Sequence, residues 1–178
     1  AVDAAGNETV TDALTVKLDT IKPVIGDATF NEGYKNLWNW LIRKDSLEIT
    51  IPVEEAGSGI ESVDYELISE DGSTTAGRAS VKKASGENSA GYTAVIYVNP
   101  DFKGKIKITA KDHAGNVSDT KMIGTDGSGI HGIIVEDHAP EITFLVNGSE
   151  SPAEEYEKAP TVDVTVKDDK ENVISAGL

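Results

Sequence analysis

Apolar and polar positions alternate along most of the chain. The clearest runs are SLEITIPV (46–53), ESVDYELI (61–68), GYTAVIYV (91–98), GKIKITAK (104–111) and GIIVED (132–137). A period of two sends every second side chain to the same face, which is the pattern of a half-buried β-strand. PVIGDATF (23–30) supplies a weaker first strand, and GRASVKKA (77–84) an edge strand whose lysines discourage pairing with other chains. Gly, Asn, Asp and Ser fill the gaps as turn residues. Six or seven antiparallel strands, each with one apolar face, bury those faces by stacking as two sheets. One segment departs from the pattern. In YKNLWNWLIRKD (34–45), Leu37, Trp38, Leu41 and Ile42 are spaced for one face of a helical turn, predicted to close an end of the sandwich. The same segment holds both tryptophans. A Trp buries about 150–250 Å², so Trp38 and Trp40 are expected in the core; their competing reading, stacking on sugar rings, requires them to be exposed.

The chain also repeats itself. Asp3, Gly6 and Asn7 of AVDAAGNET recur 109 positions later as Asp112, Gly115 and Asn116 of AKDHAGNVSD. LDTIKPVI (18–25) aligns with VEDHAPEI (135–142), with Pro23 and Pro140 separated by 117 positions. SLEITIPVEEAGSGI (46–60) resembles TVDVTVKDDKENVISAGL (161–178). Three matches in one order give a unit of roughly 110–120 residues, longer than a solenoid repeat and the length of a whole sandwich domain. The expected organisation is therefore residues 1–19 as the last hairpin of one unit, 20–137 as a complete unit, and 138–178 as the opening strands of the next. Incomplete units at both ends predict a head-to-tail contact between chains.

DHAGNVS after an alternating strand, DTIKP ahead of the unit, Trp40 leading into SLEITIPV, and GSGIESVDY opening the next strand together resemble the bacterial immunoglobulin-like repeats of large surface proteins and adhesins. The similarity covers the complete unit and both partial ones. It implies an all-β, immunoglobulin-like antiparallel β-sandwich, an extracellular, cell-surface or secreted location, and like units as the chain's first partners. One departure is Ile106, where many relatives place the tyrosine of a tyrosine corner.

Charge narrows the chemistry. Sixteen Lys and Arg stand against 31 Asp and Glu, for a net charge of −15, which repels a phosphate backbone and makes cations the expected small partners. No run approaches the ~20 apolar residues of a membrane-spanning helix. With no Cys in the sequence, disulfides and cysteine zinc sites are ruled out. His113, His131 and His138 are scattered and show no zinc spacing. GSGIHG (127–132) matches the glycine fingerprint for dinucleotides, but a strand follows where the fingerprint needs a helix. No serine elbow or paired carboxylates stand out from the general acidity, so no catalytic residue is expected.

The acidic positions converge by topology. In a sandwich of this class, the hairpin before the last strand and the loop after the second strand lie at the pole where the chain arrives. That places Asp112 and Asn116 with Glu54 and Glu55, close to Asp19. The same logic groups Glu136, Asp137, Asp168 and Asp169 at a second junction. Carboxylates brought together repel unless a cation bridges them, and calcium, which accepts six to eight oxygens in irregular geometry, suits such loops. The expected function is a structural spacer. The alternatives are a module binding host glycan or protein through loops, or an accessory domain of a secreted glycoside hydrolase.

Overall fold

A computed structural model describes residues 1–13, 15–85, 90–124, 129–151 and 155–168. Its strands run in chain order as β1 (Val24–Ile25), β2 (Thr29–Phe30), β3 (Lys35–Leu37), β4 (Trp40–Arg43), β5 (Leu47–Glu54), β6 (Ile60–Ser69) and β7 (Thr74–Arg78). They continue as β8 (Ser80–Lys83), β9 (Gly91–Val98), β10 (Phe102–Asp112), β11 (Lys121–Ile123), β12 (Gly132–Val135), β13 (Glu141–Val146) and β14 (Val162–Lys167). No helix forms among the described residues.

The protein is an all-β sandwich. One sheet has the order β1-β5-β9-β8, with β2 also on β5; the other runs β3-β4-β12-β10-β6-β7, with β11 also on β10. In immunoglobulin terms these are A-B-E-D facing G-F-C-C′. All pairings are antiparallel except β12 on β4. The alternation seen in the sequence becomes burial: Leu47, Ile49, Ile51 and Val53 of β5 and Ala94, Ile96 and Val98 of β9 point inward. They meet Phe102, Ile106, Ile108 and Ala110 of β10, Val63 of β6 and Ile133 and Val135 of β12. Each Val, Leu, Ile or Phe side chain among them favours the folded state by about 1.5–3 kcal/mol relative to exposure. Ile106 belongs to this core, and no tyrosine takes its place.

The segment 34–45 is not helical. It is a hairpin in which β3 and β4 are joined by Trp38 and Asn39, both with positive φ (50° and 64°), and Leu37 faces Trp40. Tertiary pairing overrides the helical spacing because β4 docks in parallel on β12 from Gly132↔Trp40 to Val135↔Arg43. That pairing satisfies the backbone of both strands and lets Leu41 reach the core. A lone helix of this length would be marginal in water. Both tryptophans were expected inside, and the hairpin reverses this for Trp38. Placed in the two-residue turn, it is 75% exposed. Trp40 is half-buried, packed over Gly132 with the Lys103 ammonium 5.5 Å from its ring.

Among the described residues, β13 and β14 pair only with each other. Ile142, Phe144, Val162 and Val164, which the register puts on one face, are exposed. At the other end, the described residues among 1–18 are all exposed, with a bridge between Val2 and Glu8. The core draws on residues 41–135 and on none of β13 or β14.

Candidate functional site

The site is built on a turn that the sequence encodes locally. Asp112 ends β10; its N–H donates to the carbonyl of Asn116, and its own carbonyl accepts from Gly115 N–H. Its Oδ1 accepts the Asn116 backbone N–H at 2.8 Å, and its Oδ2 accepts Asn116 Nδ2 at 2.8 Å. Gly115 supplies the left-handed residue at φ 95°. The same contacts hold the first copy: Asp3 N–H donates to the Asn7 carbonyl, while the Asp3 oxygens accept Asn7 N–H at 2.9 Å and Nδ2 at 2.8 Å, with Gly6 at φ 89°. Lys111↔Val117 and Val2↔Glu8 are matching bridges on the two flanks.

The surroundings differ. A register shift between Lys111 and Asp112 pairs Asp112 with Ile60, and the Asp112 side chain is fully buried. Beside it runs the incoming segment. Asp19 Oδ1 accepts Ile21 N–H at 3.0 Å, Oδ2 accepts Ser58 N–H at 2.6 Å, and the Asp19 carbonyl accepts Asn116 Nδ2 at 3.2 Å. Gly57 makes this approach possible, since a Cβ there would lie 2.2 Å from Asp19 Oδ2. Ser58 Oγ accepts Ala114 N–H and the Gly59 carbonyl accepts His113 N–H, stitching the loop after β5 to the turn after β10. Glu55 completes the group. It is 5% exposed; Oε1 accepts Gly57 N–H at 2.6 Å, while Oε2 is buried with no hydrogen-bond partner. One carboxylate oxygen from each of Asp19, Glu55 and Asp112 lies within 4.8 Å of the others.

Hydrogen bonds hold two of these acids in the charged form. The Ile21 N–H, followed by Ser58, keeps the Asp19 carboxyl below the ordinary range. For Asp112, burial pushes upward and the Asp19 charge adds to it, but the Asn116 side chain and backbone N–H outweigh both, and the carboxyl stays low. Asp3 is lowered chiefly by the Asn7 side chain.

Of the residues expected at this pole, Asp19, Glu55, Asp112 and Asn116 meet. Asn116 takes part as a donor through its amide nitrogen, which makes it a clamp on the two aspartates. Glu54 does not join them: it is exposed on β5 opposite Val24, because strand alternation turns it away from Glu55. Sequence reasoning missed Gly57 and Ser58, whose roles emerge only once Asp19 lies across them.

The second junction is looser. Glu136 Oε1 accepts His138 N–H at 2.6 Å, repeating the contact of Asp19 with Ile21. Asp137 groups with Asp101 and His138, all three exposed, and His138 Nδ1 lies 3.3 Å from Asp101. Asp101 and His138 were not expected as partners. Their only sequence signal is the turn after Asn99-Pro100, where Asp101 has φ 70°. Asp168 is not in that group, and Asp169 lies outside the described residues. The registers explain the position of Asp168: Glu141↔Lys167 and Ile142↔Val166 correspond to Val24↔Glu54 and Ile25↔Val53. Asp168 therefore follows β14 as Glu55 follows β5, and Glu136 stands where Asp19 stands.

No family model matches the chain, and no curated protein is significantly similar to it.

Proposed function

We propose that the chain is a load-bearing spacer, one sandwich in a series of like units within a bacterial extracellular protein of the cell surface or secreted space. Its first partners are the neighbouring units of the same chain. The observation that carries this reading is where the chain leaves the sandwich. β12 lies inside its sheet, hydrogen-bonded to β4 on one side and β10 on the other, with all four residues buried. Tension on that end must shear two ladders together. The recurrence of the Asp-x-x-Gly-Asn turn and of the acidic linker contact supports the serial arrangement. Pulling single molecules by their termini tests it. The expected record is one abrupt unfolding event releasing roughly 400 Å of chain; a smooth extension with no force peak overturns the reading.

A second reading has one observation in its favour. Trp38 is exposed in a strained two-residue turn, where Asn or Gly would sit without cost. Trp40 lines a shallow groove of about 530 Å³ with His131, Glu70 and Lys105. An indole kept in water against its backbone preference suits stacking on a sugar ring or docking to a protein. Quenching or shifting of Trp fluorescence by a panel of oligosaccharides, lost in Trp38→Ala, supports glycan binding; an unchanged spectrum removes it.

A further inference from the structure

We propose that Asp19, Glu55 and Asp112 form a calcium site that locks the incoming segment onto the sandwich. The inference deepens the spacer reading and rests on it, since Asp19 belongs to the segment that joins one unit to the next.

An acidic cluster alone would be a solvated face. The Glu55 side chain sets this one apart. It is buried, its Oε1 is held by Gly57 N–H, and its Oε2 is left without a donor beside two other carboxylates. A buried acceptor with no partner is rare in folded proteins and needs a physical reason, of which a bound ion is one. Among the described residues no ammonium or guanidinium is bridged to the cluster, and the lysines next in sequence to Asp112 and Asp19 are engaged elsewhere: Lys111 with Glu61 at 2.8 Å, Lys22 with Asp119 at 3.3 Å. Each aspartate oxygen at the site accepts an N–H, which orients it.

The spacing selects the ion. Calcium binds oxygens at about 2.3–2.6 Å, so two ligands on opposite sides of one ion are about 5 Å apart. The three oxygens within 4.8 Å of one another fit that span without backbone movement. Magnesium holds its ligands at about 2.0–2.1 Å in a strict octahedron and sheds water reluctantly, which three irregular segments do not provide. Calcium accepts such geometry, with water completing its shell. The ion would connect three points far apart in sequence: the linker, the end of β5 and the end of β10.

The two copies of the turn supply an internal control. Asp3 has the same turn contacts as Asp112 but no neighbouring carboxylate group among the described residues. Binding is therefore assigned to the convergence at Asp112, not to the turn.

The test is thermal melting of the chelator-stripped full chain at neutral pH, with calcium or magnesium added at millimolar concentration. Calcium at a hundred times its dissociation constant favours the folded state about a hundredfold, a rise in Tm of about 5–10 °C for a domain of this size. Magnesium should do much less. Glu55→Gln should melt near the stripped wild type and lose the calcium response, and Asp3→Asn should retain it. If Glu55→Gln does not fold, Asp19→Asn takes its place. A wild type that does not respond to calcium overturns the proposal. So does a calcium response that survives Glu55→Gln. Either failure leaves the single-molecule force peak untouched, so the spacer reading stands or falls separately.

Discussion

The turns at residues 3–7 and 112–116 share their backbone bonds, their carboxylate contacts and their left-handed glycine, yet among the described residues only the second meets two further carboxylates. Asp3 lies in the open. Asp112 is buried, pressed toward Glu55 and Asp19. A short polar motif carries enough information to build its own conformation, and the neighbourhood it folds into decides its chemistry.

The largest test of that division is to remove both carboxylates in turn. Asp112→Ala takes from half-buried Asn116 the acceptor of its N–H and one of the two acceptors of its Nδ2, the Asp19 carbonyl remaining, and should lower Tm by about 10 °C. Asp3→Ala, at an exposed position, should leave the main transition where it is, as calorimetry would show. Equal effects would mean that the first hairpin is integrated with the core. Gly115→Ala comes next. Both glycines have open space around a Cβ, so strain at positive φ is the whole cost, about 1–2 kcal/mol. Denaturant melts should register it at Gly115 and miss it at Gly6.

Acid gives the smallest effect. Asp19 and Asp112 have folded-state pKa values below the ordinary carboxylate value. The stability they confer is complete above about pH 4 and is lost as pH falls through their lowered values. Asp19→Asn should flatten that acid limb of Tm against pH by a few degrees, while Asp3→Asn should not.

The long strands were legible because burial on one face enforces strict alternation. Residues 91–98 were anticipated residue for residue, and β5, β6 and β10 to within two positions. The hairpin at 35–43 was not, since its stabilising partner is β12, some 90 residues later, and a short apolar run fits either period. The meeting of Asp19, Glu55 and Asp112 followed from topology. Glu54 was drawn in wrongly because adjacency in sequence is separation across a strand. Nothing in the letters marked Glu55 as the acid with a free oxygen; that depends on Gly57 N–H taking one of its atoms and on the packing that keeps water from the other.

The position of β12 also sets the order of assembly. Until residues 132–135 have been synthesised, the second sheet exists as two separate parts, the β3–β4 hairpin and the β10-β6-β7 group, with a vacant slot between them. A nascent chain therefore cannot complete its second sheet as it emerges; that step waits for the last strand. In a row of similar neighbours, this delay is protective, because each sandwich finishes with its own final strand before the next has one to offer.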